Sequence, residues 1–265
     1  MNGKPTARRP IALITGATAG IGAEFARQLA ADGHDLVLVA RNEARLDQRA
    51  AELRLEFGVR VEVLVADLGQ ADALARVEAR AAVAEPADDS AGPITLLVNN
   101  AGFGLRRPFD ESDVDDEQRL LDVLVTAPMR LSHAALAQML PHGAGTIVNI
   151  ASVAGYAPRG SYGAAKAWLL SFSRWANIAY RSRGVSVTAV APGLVHTEFH
   201  ERMRVSGASV PRFLWLDAEQ VVRLALADVR RGRAVSIPTL RYKLVVALAR
   251  LLPKRLAAKG ELREL

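Results

Sequence analysis

The stretch IALITGATAGIGAEFARQLAADG, residues 11–33, decides the fold. Its first five residues form an apolar run of strand length. Its last eleven, AEFARQLAADG, space their apolar residues as a helix does and close on Gly33, a common helix stop. Between them, TGATAGIG (Thr15 to Gly22) carries glycines at 16, 20 and 22, which let main chain approach a ligand closely. A helix starting there turns unpaired N–H groups and its positive dipole end toward whatever lies over the turn, the arrangement that holds a diphosphate. Gly16, Thr18, Gly20, Ile21 and Gly22 are the expected contacts. A plain strand-to-helix turn reads the same way in isolation, so the surrounding chain has to support the assignment.

The rest of the chain supports it. Downstream come DLVLVA, VRVEVLVA, ITLLVNN, GTIVNIAS, VSVTAVAP and RAVSIP, separated by segments of helical length. Strands alternating with helices predict a doubly wound, Rossmann-type α/β domain, with a parallel sheet of about seven strands and helices on both faces. The chain has 265 residues, half of them apolar, and no internal repeat. That suits one domain over residues 10–238, with a flexible N-terminus at 1–9 and a basic amphipathic tail at 239–265. AEPADDSAGP (84–93) reads as a loop. VSGASVPRF (205–213) reads as flexible, and because it follows the sixth strand, a lid is expected at about 198–216.

The second strand ends in VAR, where sites for NAD usually carry an acidic residue. Here Ala40 and Arg41 stand. A guanidinium at that place pairs with a ribose 2′-phosphate by charge-assisted bonds, which favours NADP. The alternative role for Arg41 is simply to open the following helix on its solvent side.

The glycine turn, NNAG (99–102), Tyr162 with Lys166, and PGLVHT (192–197) occur in this order, the first two and the last each at the end of an expected strand. In this the chain resembles the short-chain dehydrogenase/reductase family from about residue 10 to 238. The Tyr162/Lys166 pair sits in a chain with 5 lysines against 29 arginines. The resemblance implies that Tyr162 protonates a carbonyl oxygen while the nicotinamide delivers hydride to the carbon. It also implies that Lys166, four residues on along one helix face, lowers the phenol's pKa and holds the nicotinamide ribose. Ser152 is the expected anchor of the substrate oxygen. By the same resemblance Asp67 and Leu68 flank the adenine, Asn99, Ala101 and Gly102 line the cofactor floor, and Val195 and Thr197 hold the carboxamide and diphosphate region. Asn99 and Asn100 can equally stitch neighbouring strands together. One position departs from the family: the asparagine expected in the long helix EQRLLDVLVTAPMRLSHAAL, which serves a proton relay from the lysine, is Leu124. The function implied is NADP-dependent hydride transfer between nicotinamide and a carbonyl or secondary alcohol. A non-catalytic NADP-binding or sensing module is the alternative that Leu124 keeps open.

Charge and composition narrow the partners. The formal charge of +6 sits at the ends: +3 in residues 1–10 and +5 in residues 241–265, leaving the middle slightly acidic. With no basic stripe carrying aromatic residues in the body, nucleic acid is not an expected partner. A chain without cysteine has no disulfides or thiolate ligands and fits a reducing compartment, so a cytoplasmic location is expected. The apolar run after the basic N-terminus is too short for a signal-peptide core. His196 and His200 lie four apart, but no third ligand accompanies them and no metal is expected. The tail LRYKLVVALARLLPKRLAAKG mixes an apolar stripe with basic residues. It suits packing on the domain, on another subunit of a homo-oligomer or on an anionic membrane surface, and is too interrupted by charge to span a bilayer. The apolar stretch FLWL (213–216) hints at an apolar substrate.

Overall fold

The computed structural model describes residues 9–84, 92–198 and 211–251. Most of the expected N-terminal segment, the centre of the 84–93 loop, residues 199–210 of the expected lid, His200 and residues 252–265 lie outside the described residues. Seven parallel strands form one sheet: β1 (Ile11–Thr15), β2 (Asp35–Ala40), β3 (Val61–Val65), β4 (Ile94–Asn99), β5 (Gly145–Ile150), β6 (Val185–Val190) and β7 (Val235–Ser236). Their order is β3-β2-β1-β4-β5-β6-β7. Ile14 pairs with Leu38 on one side and Val98 on the other, and Val98 pairs in turn with Val148.

Central strands are continuous apolar runs because both faces of the sheet are covered. All five residues of β1 are buried. Ala12, Ile14, Leu36 and Leu38 face a layer containing α1 (Gly20–Ala31), α2 (Glu43–Phe57) and α7 (Ala218–Arg230). The alternate residues Leu13, Val37 and Val39 face α3 (Ala71–Ala81), α5 (Ala127–His142) and α6 (Gly160–Tyr180). The period of two along each strand thus divides the core into two layers.

Connections run in opposite directions from the middle of the sheet, so a crevice opens beyond the carboxyl ends of β1 and β4, where doubly wound folds place their ligands. The ends of these two strands are tied together. Thr15 Oγ1 donates to the Val98 carbonyl (3.3 Å) and accepts from the N–H groups of Asn100 (2.9 Å) and Ala101 (3.0 Å). The Asn100 amide donates to the Thr15 carbonyl at 2.9 Å.

The long helix expected after β4 is interrupted. It consists of α4 (Val114–Leu121), a π segment Asp122–Thr126, and α5, with Pro128 in the first turn of α5. Proline has no N–H to give the carbonyl four residues back, that of Leu124, so the α ladder breaks there and the chain widens. By length and composition alone the run Val114–His142 could cross a membrane, but half of its most apolar window is buried against the domain, as in a core helix. The segment read as a tail from residue 239 contains α8 (Leu240–Leu251), which lays the buried side chains of Tyr242 and Val246 against the body.

Candidate active site

A cavity of about 2080 Å³ occupies the crevice. One half is the glycine turn. Gly16 has φ 67° and Gly20 φ 54°, the left-handed region that favours glycine. A Cβ at Gly20 would come within 2.8 Å of the Thr197 methyl, so the turn and the loop after β6 close on each other only without a side chain there. α1 begins at Gly20, its N-cap Ala19 offers no side-chain cap and its first turn has no acidic residue, leaving its N-terminal N–H groups free for an anion. Thr18 and Ile21 line this half. Gly22 does not: a Cβ there would lie 2.3 Å from both the Gly16 carbonyl oxygen and the Asn100 amide nitrogen, so its work is to let α1 pack under the turn.

Arg41 is exposed on the cavity rim. Nearby, Asp67 and Leu68 line the wall. Burial disfavours ionisation of Asp67, but the Gly69 N–H (3.1 Å), the Arg119 guanidinium (2.6 Å) and Arg41 outweigh it and hold the carboxyl below its usual range. Arg45 was not singled out from the sequence. One turn beyond Arg41, it reaches into the same wall, pairs with both carboxylate oxygens of Glu198 and donates to the Thr18 carbonyl at 3.4 Å. Its spacing of four from Arg41 was the available signal.

On the floor, Ala101 and Gly102 line the cavity as expected. The Asn99 side chain faces away from it, buried behind the sheet, where its amide donates to Asn149 Oδ1 (2.8 Å) and Ser132 Oγ (3.2 Å). Asn99 and Asn100 both stitch strands, and it is Asn100 that reaches the cavity.

Ser152, Tyr162 and Lys166 come together at the other end. Ser152 caps a short 3₁₀ turn, accepting from the Ala154 N–H at 3.1 Å, and is hydrogen-bonded to Tyr162. Lys166, 5% exposed, donates from Nζ to the Ile150 carbonyl at 2.7 Å and stands 5.7 Å from the centre of the Tyr162 ring. The expected lowering of the phenol's pKa is corrected here. Burial pushes Tyr162 up to about 12, against a partial pull down from the Ser152 hydrogen bond. Burial also pushes Lys166 down to about 8. Loss of water dominates both shifts, and the amine spends one of its hydrogen bonds on the Ile150 carbonyl.

Leu124 is 1% exposed and packs with Leu120, Ala165, Phe103 and the Tyr162 ring. An apolar side chain therefore stands where the family's asparagine was expected.

Val195 and Thr197 line the cavity from the loop after β6. That loop is held by Tyr242 of α8, a residue with no neighbour in the chain to suggest the role. Its hydroxyl donates to the Leu214 carbonyl (2.7 Å) and accepts from the Leu194 N–H (3.0 Å). Its ring lies over Gly193, where a Cβ would be 1.8 Å from Cζ. Val195 also bridges to Leu216. The His196 ring stacks on Trp215 at 4.8 Å between centres.

The comparisons agree with this geometry. Residues 10–206 match the family model described as short chain dehydrogenase. The chain is 34% identical over 226 residues to a very-long-chain 3-oxoacyl-CoA reductase of Anas platyrhynchos, covering 82% of this chain and 68% of that protein. It is 38% identical over 194 residues to sulfoacetaldehyde reductase 2 of Chromohalobacter salexigens, covering 71% and 74%. Among solved structures, a short-chain dehydrogenase from Sphingobium yanoikuyae in complex with NADPH superposes with a TM-score of 0.80 at 37% identity, over 96% of this chain and 97% of that one. The bulky-bulky ketone specific alcohol dehydrogenase from Comamonas testosteroni gives a TM-score of 0.76 at 36% identity, over 96% and 95%. With its seven-stranded parallel sheet, its uncapped glycine turn and its matched sequence, the chain belongs to the short-chain dehydrogenase/reductase family of oxidoreductases.

Proposed function

We propose that the chain is an NADP-dependent carbonyl reductase or alcohol dehydrogenase in which Tyr162 is the acid/base, Lys166 its charge partner and Ser152 the anchor of the substrate oxygen. The observation that carries the reading is the meeting of these three side chains in one cavity with an uncapped helix N-terminus.

The residues fit a dinucleotide with a 2′-phosphate. The glycine turn offers a cradle that a Cβ would fill, and Arg41 stands at the rim with no acidic residue at the end of β2. Gly16, Thr18, Gly20 and Ile21 would hold the diphosphate, Arg41 the 2′-phosphate, Asp67 and Leu68 the adenine, Ala101 and Gly102 the floor, and Val195 and Thr197 the carboxamide end. The NADPH-bound relative from Sphingobium supports this choice of cofactor. Bound there, NADPH supplies the hydride.

The chain's own residues manage the proton. A phenol with a pKa of about 12 keeps its proton at neutral pH and is ready to donate it to a carbonyl oxygen. Ser152 accepts from the Ala154 N–H and is hydrogen-bonded to Tyr162, which keeps the two hydroxyls side by side where the same oxygen would bind. Lys166, at about 8, is mostly protonated at pH 7 and offsets the charge that develops on the phenolic oxygen. Phe103, Leu105, Phe109 and Leu120 give this end of the cavity apolar walls, which suits a bulky apolar ketone.

The decisive assay follows NADPH oxidation across a panel of bulky ketones, with NADPH binding measured in parallel. Tyr162→Phe should lower turnover about 100- to 10,000-fold at unchanged cofactor affinity. Undiminished turnover in that variant would overturn the role of Tyr162. Binding without turnover by the native chain would favour a non-catalytic NADP-binding module, the reading that the buried Leu124 supports.

A further inference from the structure

Helix α8 has two working faces. The inner one presents Tyr242 and Val246 to the cavity wall, as described above. The outer one carries Leu240, Leu244 and Leu248 at intervals of four, hence on one stripe, with exposures of 76%, 71% and 60%. Phe213, 63% exposed, sits beside α8, because Arg241 donates to its carbonyl. The stripe borders the mouth of the cavity: Val245 lines the cavity from the same helix, and Pro211 and Leu214 line it from the segment that carries Phe213.

Charge accompanies the stripe. At about 100° per residue, Arg241 and Lys243 fall on opposite flanks of the leucines. Residues 241–265 carry a net +5, while the body between the two ends is slightly acidic. An apolar stripe between basic flanks is the pattern of a helix that lies in the headgroup region of an anionic bilayer. A second copy of the chain is a poor occupant, since an isologous contact would press the Arg241 and Lys243 flanks against the same charges of the other copy.

We propose that the Leu240, Leu244 and Leu248 stripe, together with Phe213, docks this chain on an anionic lipid surface, with the mouth of the cavity beside the membrane. Docking of this kind gives apolar carbonyl compounds dissolved in lipid a short path to the site, a consequence that rests on the function proposed above.

The test uses the full chain and no substrate, so it stands or falls apart from catalysis. Sedimentation with vesicles of phosphatidylcholine alone and of phosphatidylcholine mixed with phosphatidylserine should show much stronger retention by the mixed vesicles, weakening as salt is raised. Each basic side chain near such a surface is worth about fivefold in partitioning. Lys243→Glu should therefore lose at least about fivefold, and Leu240→Ser/Leu244→Ser/Leu248→Ser should abolish retention. Unchanged thermal unfolding and NADPH binding would show that the leucine variant is folded. Equal retention by both vesicles, no retention, or retention insensitive to the leucine substitutions would each overturn the proposal. So would a dimer in light scattering that the leucine substitutions dissociate, which would assign the stripe to a second copy.

Discussion

Lys166→Met isolates the energetic consequence of burying a lysine beside Tyr162. The amine falls from 10.5 to about 8 on folding because it loses water, a difference worth about 3 kcal/mol. Below pH 8 both folded and unfolded chains hold this proton, so the native state bears the full cost of a buried ammonium. Between pH 8 and 10.5 the native chain releases the proton while the unfolded chain keeps it, and stability rises with pH. Above 10.5 the relief is complete. Methionine fills similar space without charge, but leaves the Ile150 carbonyl without the 2.7 Å bond it receives from Nζ, at a cost of about 1–2 kcal/mol. The variant should therefore be more stable than the native chain at pH 7, by about 1–2 kcal/mol, and less stable by a similar amount near pH 10.5. Tyr162, raised to about 12, lowers stability as pH climbs from 10 to 12, but it does so in both chains and cancels from the difference. Urea unfolding at a series of pH values, with equal slopes in both proteins, reads the crossing directly. A stability gap of constant sign and size from pH 7 to 10 would refute a charged, desolvated Lys166.

Three further outcomes are expected. Arg41→Asp should weaken NADPH binding at least about tenfold more than NADH binding, as loss of a charge-assisted bond to phosphate requires; fluorescence titration measures both, and equal losses would remove the 2′-phosphate assignment. Tyr242→Phe should destabilise the fold by about 2 kcal/mol, because Leu194 N–H and the Leu214 carbonyl lose their shared partner, and should also raise the Kd for NADPH; unaltered cofactor affinity would show that this hydroxyl does not hold the loop in its binding shape. Leu124→Asn should cost about 2–3 kcal/mol in urea unfolding, since it places an amide among Leu120, Ala165 and Phe103; a neutral result would reveal a polar partner beside Lys166.

Local pattern carried much of this protein. The seven apolar runs quoted from the sequence each contain one of the seven strands; central strands such as β1, covered on both faces, are apolar nearly throughout and so announce themselves without their neighbours. The glycine turn was equally plain, being a short-range device: Gly16 and Gly20 have positive φ where the sequence placed the cradle. Tyr162 and Lys166 were visible as a spacing and Ser152 through the family resemblance, and the three do share one cavity. The break at Asp122–Thr126 went unread, although Pro128 was in view, because periodicity alone does not distinguish a widened helix from a regular one.

What the residues determined alone is whatever depends on neighbours along the chain: strands, helices, the turn and the four-residue interval between Tyr162 and Lys166. Only the folded chain decided which of Asn99 and Asn100 meets the cavity, for successive residues at a strand end point to opposite sides. It also brought Arg45 to Glu198 and Tyr242 to Gly193, pairs that are far apart in sequence. The protonation of the Tyr162 and Lys166 pair was decided in the same way. Sequence spacing shows that two groups can approach; how much water they lose, and whether Ile150 claims the amine first, depends on packing in three dimensions.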